Sequence, residues 1–216
     1  MSYAVNTMNS SSNKSHAATI CLLILLVLAG FFWFSHKKVV APAPAATLST
    51  EDAVRVRATE AIVALVTSDI AKFATLVDPK KGIRFSINSH VDVAHDKVLT
   101  ASQLVPLYNS PIKYTWGVAD GSGEKIILPF KTFVQQKLAD HDYPAAPEII
   151  YDGFKGTTNV INNVAQVYPT AHTIEFYFPG FDAQNVGMDW RAVRMVFEQS
   201  NGAWYIVGII SDNWTI

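Results

Sequence analysis

The feature that most constrains this chain is an uninterrupted apolar run near its N-terminus, Ala17 to Phe34, with the sequence AATICLLILLVLAGFFWF. Its 18 residues carry no charge, and as a helix they span about 27 Å, close to the roughly 30 Å hydrocarbon core of a bilayer. Trp33 suits the interfacial region, and Lys37 and Lys38 mark the water side. The sequence therefore predicts a single-pass membrane anchor.

This anchor divides the chain into four predicted parts. Residues 1–16 form a short polar tail, 17–34 the transmembrane signal anchor, 35–49 a Pro/Ala-rich linker and 50–216 a single globular domain. A cleaved signal peptide is the alternative, because Ala43-Pro44-Ala45 has the small residues that a signal peptidase requires. That site lies well beyond the apolar run, with two lysines between them, and this distance favours retention of the anchor.

Two features disagree about the side of the membrane on which the domain lies. Lys37 and Lys38 outnumber Lys14, and by the positive-inside rule this favours a cytoplasmic domain. The APAPAA segment after them is typical of a stiff spacer that lifts an exported domain off a membrane. We expect an extracytoplasmic domain, and the cytoplasmic alternative stays open.

Charge and cysteine content exclude several classes of function. Of 17 Lys and Arg residues, Lys14, Lys37 and Lys38 precede the domain, whereas all 18 Asp and Glu residues lie within it, which gives the domain a formal charge of about −4. Nucleic acid is therefore not expected as a partner, because phosphate binding needs a clustered positive field. Cys21 is the only cysteine, so the chain has no intrachain disulfide and no cysteine metal cluster.

Hydrophobic periodicity places helices first and strands last in the domain. Thr50 is a predicted helix cap, and apolar residues at three- and four-residue spacing follow it up to Val66. Alternating patterns predict strands at residues 172–178, 190–199 and 203–210, with a hairpin turn at Ser200-Asn201-Gly202. We predict an α+β domain in which N-terminal helices pack on a curved, mostly antiparallel sheet.

Two resemblances accompany this pattern. An N-terminal helical hairpin followed by a curved sheet that ends in a W-Y-x-V-G strand resembles the cone fold of the nuclear transport factor 2-like, or ketosteroid-isomerase-like, superfamily. More narrowly, the blocks KKGIRFSINSHVDV, YTWGVADGSGEKI, FPGFD, GMDWRAVRMVFE and WYIVGIISDNWTI are similar to a set of uncharacterised exported bacterial proteins. The superfamily contains isomerases, dehydratases and non-catalytic binding modules, so the resemblance implies a fold but not an activity.

The candidate pocket lies on the strand that begins after Asp189. Arg191 and Arg194 fall on opposite faces of that strand by its period of two, so one of them is expected to point into the concave side of the sheet. The concave side is where we expect a cone fold to hold a ligand. A structural ion pair within the sheet is the competing interpretation. The predicted site comprises both arginines, possible carboxylate partners at Glu175 or Asp212, Asp189 and the aromatic residues Trp190 and Trp116.

A second cluster contains His90, Asp92, His95 and Asp96 within seven residues. Histidine with carboxylate is a combination that binds zinc and other divalent ions, which makes these residues weak metal candidates. A polar strand end and loop explains the same residues without a ligand. We therefore assign no metal and no cofactor from the sequence.

The chain contains no nucleophile motif, phosphate loop or metalloprotease helix. We predict a membrane-tethered envelope module that binds a small molecule or a protein without catalysis. The alternative is a cone-fold enzyme that uses carboxylate acid–base chemistry on a small molecule. A deep pocket with an unpaired buried acid or histidine would favour the enzyme, and a filled cone would favour the binding module.

Overall fold

The computed structural model describes residues 48–156 and 159–214. The predicted anchor at 17–34, the polar tail before it and the linker as far as residue 47 lie outside the described residues. Within the two described ranges, no helix is both long enough and apolar enough to cross a bilayer.

The domain begins with two helices and ends with three strands, and helices and strands alternate between them. The helices are α1 (Thr50–Val66), α2 (Ile70–Leu76), α3 (Ala101–Tyr108), α4 (Phe130–Phe133), which continues as a π-helix over Val134–Leu138, and α5 (Val164–Val167), with 3₁₀ turns at Tyr143–Ala145 and Ala183–Asn185. The strands are β1 (Ile83–Ile87), β2 (Lys97–Leu99), β3 (Lys113–Val118), β4 (Lys125–Pro129), β5 (Glu148–Tyr151), β6 (His172–Phe178), β7 (Arg191–Ser200) and β8 (Ala203–Asn213).

Side-chain caps fix the helix starts. Ser49, one residue before the predicted cap, accepts a hydrogen bond from the backbone N–H of Asp52 at 3.1 Å and begins α1. Asp69 caps α2 by accepting from Lys72 N at 2.9 Å. Thr100 and Gln103 form a reciprocal capping box at the start of α3. These caps satisfy backbone donors that the first helical turn leaves unpaired.

Six strands form one sheet in the order β2-β1-β8-β7-β6-β5, and β3 and β4 form a separate hairpin. All pairs in the sheet are antiparallel except β1 with β8, which are parallel. β7 and β8 are joined by the predicted turn, where Asn201 and Gly202 both have positive φ, as a two-residue hairpin requires. A register shift between Val196 and Phe197 bends this long pair.

The helix-covered face of the sheet is filled by a large hydrophobic core. Trp116 of β3 is fully buried, lies stacked on Phe133 with ring centroids 4.0 Å apart, and also stacks on Phe130 at 5.5 Å. Phe85 of β1 meets these three rings edge-on. The Trp116 indole N–H donates to the carbonyl oxygen of Leu128 at 2.9 Å, so its one polar atom is satisfied. Residues from α1, α2 and β6–β8 complete this core.

The opposite face of the sheet carries a second, smaller core. Val196, Val207 and Ile210 point outward from β7 and β8 and are covered by Val91 and Val164. Partly buried residues of the segment between β5 and β6 pack against the same group, namely Phe154, Val167, Tyr168 and Ala171. The domain therefore has helices on one face of the sheet and a largely irregular segment on the other.

The predicted α+β arrangement, with helices packed on a curved sheet, is confirmed. β6 has the predicted bounds, residues 172–178, whereas β8 continues three residues beyond its predicted end. Two short strands, β2 and β5, were not predicted. Both lie at sheet edges, where their few residues show no clear alternation of apolar and polar side chains.

Replacing Trp116 tests how tightly the helix-covered face is packed. Trp116→Ala should lower the free energy of unfolding by about 3–5 kcal/mol, because it removes a stacked, fully buried ring. Trp116→Phe keeps an aromatic ring and loses the hydrogen bond to Leu128, so it should cost roughly 1–2 kcal/mol. Urea unfolding of both variants measures the difference, and equal losses would contradict close packing around this ring.

Candidate functional site

A surface cleft lies between the residues that follow β1 and the β3–β4 hairpin. It has a volume of about 820 Å³, within the size range of small-molecule sites. We call it the hairpin cleft. Its lining residues are Ile87, Asn88, His90, Asp92, His95, Asp96, Lys97, Lys113, Tyr114, Thr115, Gly117, Val118, Lys125 and Val160.

The hairpin wall of the cleft depends on a glycine. Gly117 has φ of +147°, a backbone conformation that side chains rarely adopt, and the β3–β4 register shifts between Thr115 and Val118. A Cβ atom at Gly117 would lie 3.5 Å from the side chain of Ile87 on β1. The hairpin backbone therefore lies against the end of β1 at this point, and both residues line the cleft.

The other wall is organised by two carboxylates. Asp92 accepts hydrogen bonds from the backbone N–H groups of Ala94 and His95 at 3.0 and 3.2 Å, and its second oxygen lies 2.7 Å from His95 Nδ1. The hydrogen bond with His95 is the main reason why the pKa of Asp92 lies below its usual value. Asp96 accepts from the Ser86 hydroxyl and from Asp92 N, and burial raises its pKa. Both carboxylates therefore stabilise the loop itself.

The weak metal candidates share the cleft but do not form a metal centre. His90 is exposed, and Asp92 and Asp96 direct their oxygens to loop donors. Among the residues that the structure describes, no group of three His, Cys, Asp or Glu side chains is placed to hold a metal ion. A polar loop is the interpretation that these contacts favour.

Three lysines give the cleft a positive rim. Lys97 places its ammonium group 5.1 Å from the centre of the Tyr114 ring, and Lys113 and Lys125 are exposed on the hairpin. Within residues 48–156 and 159–214, no carboxylate lies within ion-pair distance of any of the three ammonium groups. These are unneutralised cations in a domain that is acidic overall.

The structure places the predicted arginines on opposite faces, but Arg194 does not reach the concave face. Its neighbours on β7, Val193 and Met195, point into the core under the helices, so Arg194 points to the outer face. Glu175 of β6 lies directly opposite Arg194 in the β6–β7 register, and Asp212 of β8 also reaches it. The concave side beside β7 is filled by apolar and aromatic residues, and Arg191 is the arginine on that face. Arg194 forms ion pairs with Glu175 and Asp212, which is the competing interpretation given from the sequence.

Arg194 is instead the centre of a buried ion cluster. Its Nε donates to Glu175, its Nη1 donates to Asp212 at 2.6 Å and to the Ser89 hydroxyl at 2.9 Å, and its Nη2 donates to the Gly156 carbonyl at 3.0 Å. Arg194, Glu175 and Asp212 are each at most 1% exposed. Burial raises the pKa of Asp212, an effect that the charge of Arg194 opposes.

Two aromatic residues and a glycine enclose this cluster. The guanidinium carbon lies 4.5 Å from the centre of the Phe154 ring, and Trp190 packs over Gly156. A Cβ atom at Gly156 would come within 2.5 Å of the Trp190 ring, so only glycine fits there. Lys155 N donates to Glu175 at 2.7 Å, which ties the same segment to β6. Trp190 therefore closes a buried cluster rather than lining an open pocket.

The other predicted pocket residues lie elsewhere. Asp189 accepts from the backbone N–H groups of Phe181 and Asp182 and from Asn185 Nδ2 at 2.9–3.1 Å, which pins the loop before β7 and lowers the pKa of its carboxyl. Arg191 lies at the edge of the helix-covered face, with Nε 3.7 Å from Asp140. Trp116 belongs to the main core. The structure therefore separates these residues rather than bringing them together in one site.

Sequence reasoning missed the residues that complete both sites. Ser89, Phe154 and Gly156 surround Arg194 from two distant loops, and no pattern links them to β7. The lysines of the hairpin cleft come from three different strands and look like ordinary surface residues in the sequence. One sequence signal pointed to the hairpin cleft. Gly117 is an isolated glycine inside a strand pattern, which indicates a bulge or a close approach of the backbone to another element.

No family model matches the sequence, and the comparison with curated proteins finds no similar sequence. The solved structures similar to the chain include NTF2-like proteins. An NTF2-like protein from Cytophaga hutchinsonii is 9% identical, with 77% of this chain and 99% of that chain covered and a TM-score of 0.35.

Two further structures show the range of proteins in this comparison. A domain of unknown function with a cystatin-like fold from Nostoc punctiforme is 12% identical, with 79% of this chain and 80% of that chain covered and a TM-score of 0.34. The beta subunit of the benzoate 1,2-dioxygenase from Burkholderia mallei is 10% identical, with 78% and 92% covered and a TM-score of 0.32. Similarities at this level carry no information about activity.

Arg194 offers a direct test of the buried cluster. Arg194→Met should lower the free energy of unfolding by about 3–5 kcal/mol, because Glu175 and Asp212 keep buried charges without a cation. Urea unfolding measures this loss. Arg191→Met on the same strand removes a half-buried arginine with a 3.7 Å pair and should change stability by less than about 1 kcal/mol.

A triple variant separates charge from packing at Arg194. Combining Arg194→Met with Glu175→Gln and Asp212→Asn removes all three charges, so it should recover part of the loss in the single variant. An Arg194→Met protein as stable as the parent chain would contradict the central role of this cluster.

Proposed function

We propose that this chain is a membrane-tethered envelope protein whose domain binds a ligand in the hairpin cleft without catalysing a reaction. The observation that carries the proposal is the filled core on the helix-covered face, where Trp116, Phe130, Phe133 and Phe85 pack ring against ring. A cone-fold enzyme would need that space for its substrate. The hairpin cleft, by contrast, is open and large enough for a small molecule.

The buried ionisable groups support a non-catalytic role. Glu175 and Asp212 share Arg194, and Asp78 accepts from the backbone N–H groups of Lys80 and Lys81 at 2.8 Å. An acid–base catalyst must reach its substrate with a proton acceptor or donor that is free to react. These carboxylates instead form ion pairs and hydrogen bonds within the folded domain.

The membrane tether in this proposal rests on the apolar run at residues 17–34, and the extracytoplasmic side rests on the Pro/Ala spacer after it. A tether of this kind would hold the cleft within reach of soluble or surface-bound molecules in the envelope. The bilayer is then the first partner of the chain, and the cleft ligand is the second.

One observation favours the alternative enzyme. Asp96 lines the cleft, and burial raises the pKa of its carboxyl, which is the direction expected for a general base. Its hydrogen bonds from Ser86 and from Asp92 N explain the same carboxyl as a loop anchor. Asp96 is nevertheless the residue that an acid–base mechanism in this cleft would use.

The tether and its direction are tested by protease treatment of spheroplasts that express the full chain. The domain should fractionate with membranes and be digested by protease added outside, whereas a chain lacking residues 17–34 should stay in the soluble fraction, protected. Full protection of the intact chain would contradict export, and release of the intact chain into the soluble fraction would contradict the tether.

The binding site is tested by screening the full chain, in a nonionic detergent, against a library of neutral, anionic and cationic small molecules. Binders should shift the amide signals of Gly117 and Val118 without being chemically changed. Thr115→Trp places a bulky side chain on the exposed cleft wall and should abolish these shifts, whereas Thr59→Trp on the exposed face of α1 should not.

Three outcomes would overturn this proposal. If no library member shifts the cleft signals, or if Thr115→Trp leaves binding intact, the cleft is not the site. If a bound compound is turned over and Asp96→Asn stops the reaction while binding persists, the enzyme alternative replaces the binding module.

A further inference from the structure

We infer that the hairpin cleft takes an elongated anion, with acidic groups spaced to meet the two ends of β3. This inference rests on the proposed function, because it names the chemistry of the ligand in the same cleft. It begins from the three lysines on the rim, Lys97, Lys113 and Lys125. A free ammonium group at a cleft is a ready partner for carboxylate or phosphate.

Three lysines line the cleft although the domain as a whole is acidic. The domain carries a formal charge of about −4, so a group of unpaired lysines is not a consequence of a basic surface. The two carboxylates on the opposite wall direct their oxygens toward the loop and not toward the lysines. Asp92 contacts His95 and two backbone amides, and Asp96 accepts from Ser86 and Asp92 N. An incoming anion therefore meets lysines that no carboxylate of the described residues neutralises.

The lysines are arranged at two ends. Lys113 begins β3, and Lys125 pairs with Val118 at the other end of that strand. β3 has six residues, so the two ends are on the order of 17 Å apart at ~3.3 Å per residue. Lys97 lies over the ring of Tyr114, whose side chain points to the other face of β3 from Lys113, so Lys97 lines the cleft from β2.

Apolar atoms line the cleft between the two cationic positions. Gly117 lies between them along β3, and the side chain of Ile87 lies against it. A compact anion such as inorganic phosphate would reach one end only. A chain of about five or six extended units, with acids along it or at both termini, would contact both ends at once.

Oligoglutamates of two to six residues, N-acetylated, provide a probe of both charge and length. Titration calorimetry on the full chain in a nonionic detergent should show affinity rising with length up to five or six residues and falling as salt is added. Oligoglutamines and oligolysines of equal length should not bind. Polyphosphates of matched length distinguish phosphate from carboxylate as the preferred acid.

The lysines are tested by substitution. Lys113→Ala and Lys125→Ala should each weaken binding of the longest oligoglutamate about tenfold, because each removes a charge-assisted contact. Lys113→Ala should have little effect on probes too short to span β3 that bind at Lys125. Lys80→Ala, an exposed lysine outside the cleft, is the matched control and should leave binding unchanged. Unchanged melting temperatures establish that the variants are folded.

The outcomes separate this inference from the proposed function. If neutral or cationic library members bind in the cleft, and Thr115→Trp blocks them while oligoglutamates and polyphosphates fail, the cleft is a ligand site and the anion inference is wrong. If anions bind equally well to the Lys113→Ala/Lys125→Ala variant, the inference is also wrong. Absence of any cleft ligand removes both proposals.

Discussion

The structure depends most on one buried guanidinium group, that of Arg194. Four of its five N–H groups are used, and their acceptors come from β6, β8 and two separate loops. Moving such a charge out of water is costly, and the cost is offset only when nearly all of its hydrogen bonds and ion pairs are formed. Because strands and loops must all be in place to complete it, the cluster favours one arrangement of the outer layer over others.

That arrangement reaches the hairpin cleft. Ser89 donates its hydroxyl to Asp212 and accepts from Arg194, and it immediately precedes His90 on the cleft wall. Farther along the loop, Asp96 and Asp92 set the backbone through their own hydrogen bonds. The wall therefore has a buried anchor at its base and polar turns along its length, which keeps it open without a ligand to support it.

The two faces of the sheet have different consequences for function. On the helical side, aromatic rings fill the space between the helices and the sheet, and Trp116 has its indole N–H satisfied inside that core. The hairpin that contributes Trp116 also carries Lys113, Thr115 and Lys125 on its exposed positions. One short hairpin thus closes the core with one face and presents a cationic surface to the cleft with the other, as the alternation of side chains in a strand allows.

The sequence by itself determined the α+β class, because apolar spacing changes from helical to alternating along the domain. It also determined the β7–β8 turn, which depends on neighbouring residues. It also determined that Arg191 and Arg194 lie on opposite faces of a strand. Only the tertiary structure decided that Arg194 faces the outer layer, since this depends on which face the helices cover. The hairpin cleft and its lysines likewise required the structure, because residues far apart in the chain become neighbours only when β1, β2 and the β3–β4 hairpin pack together.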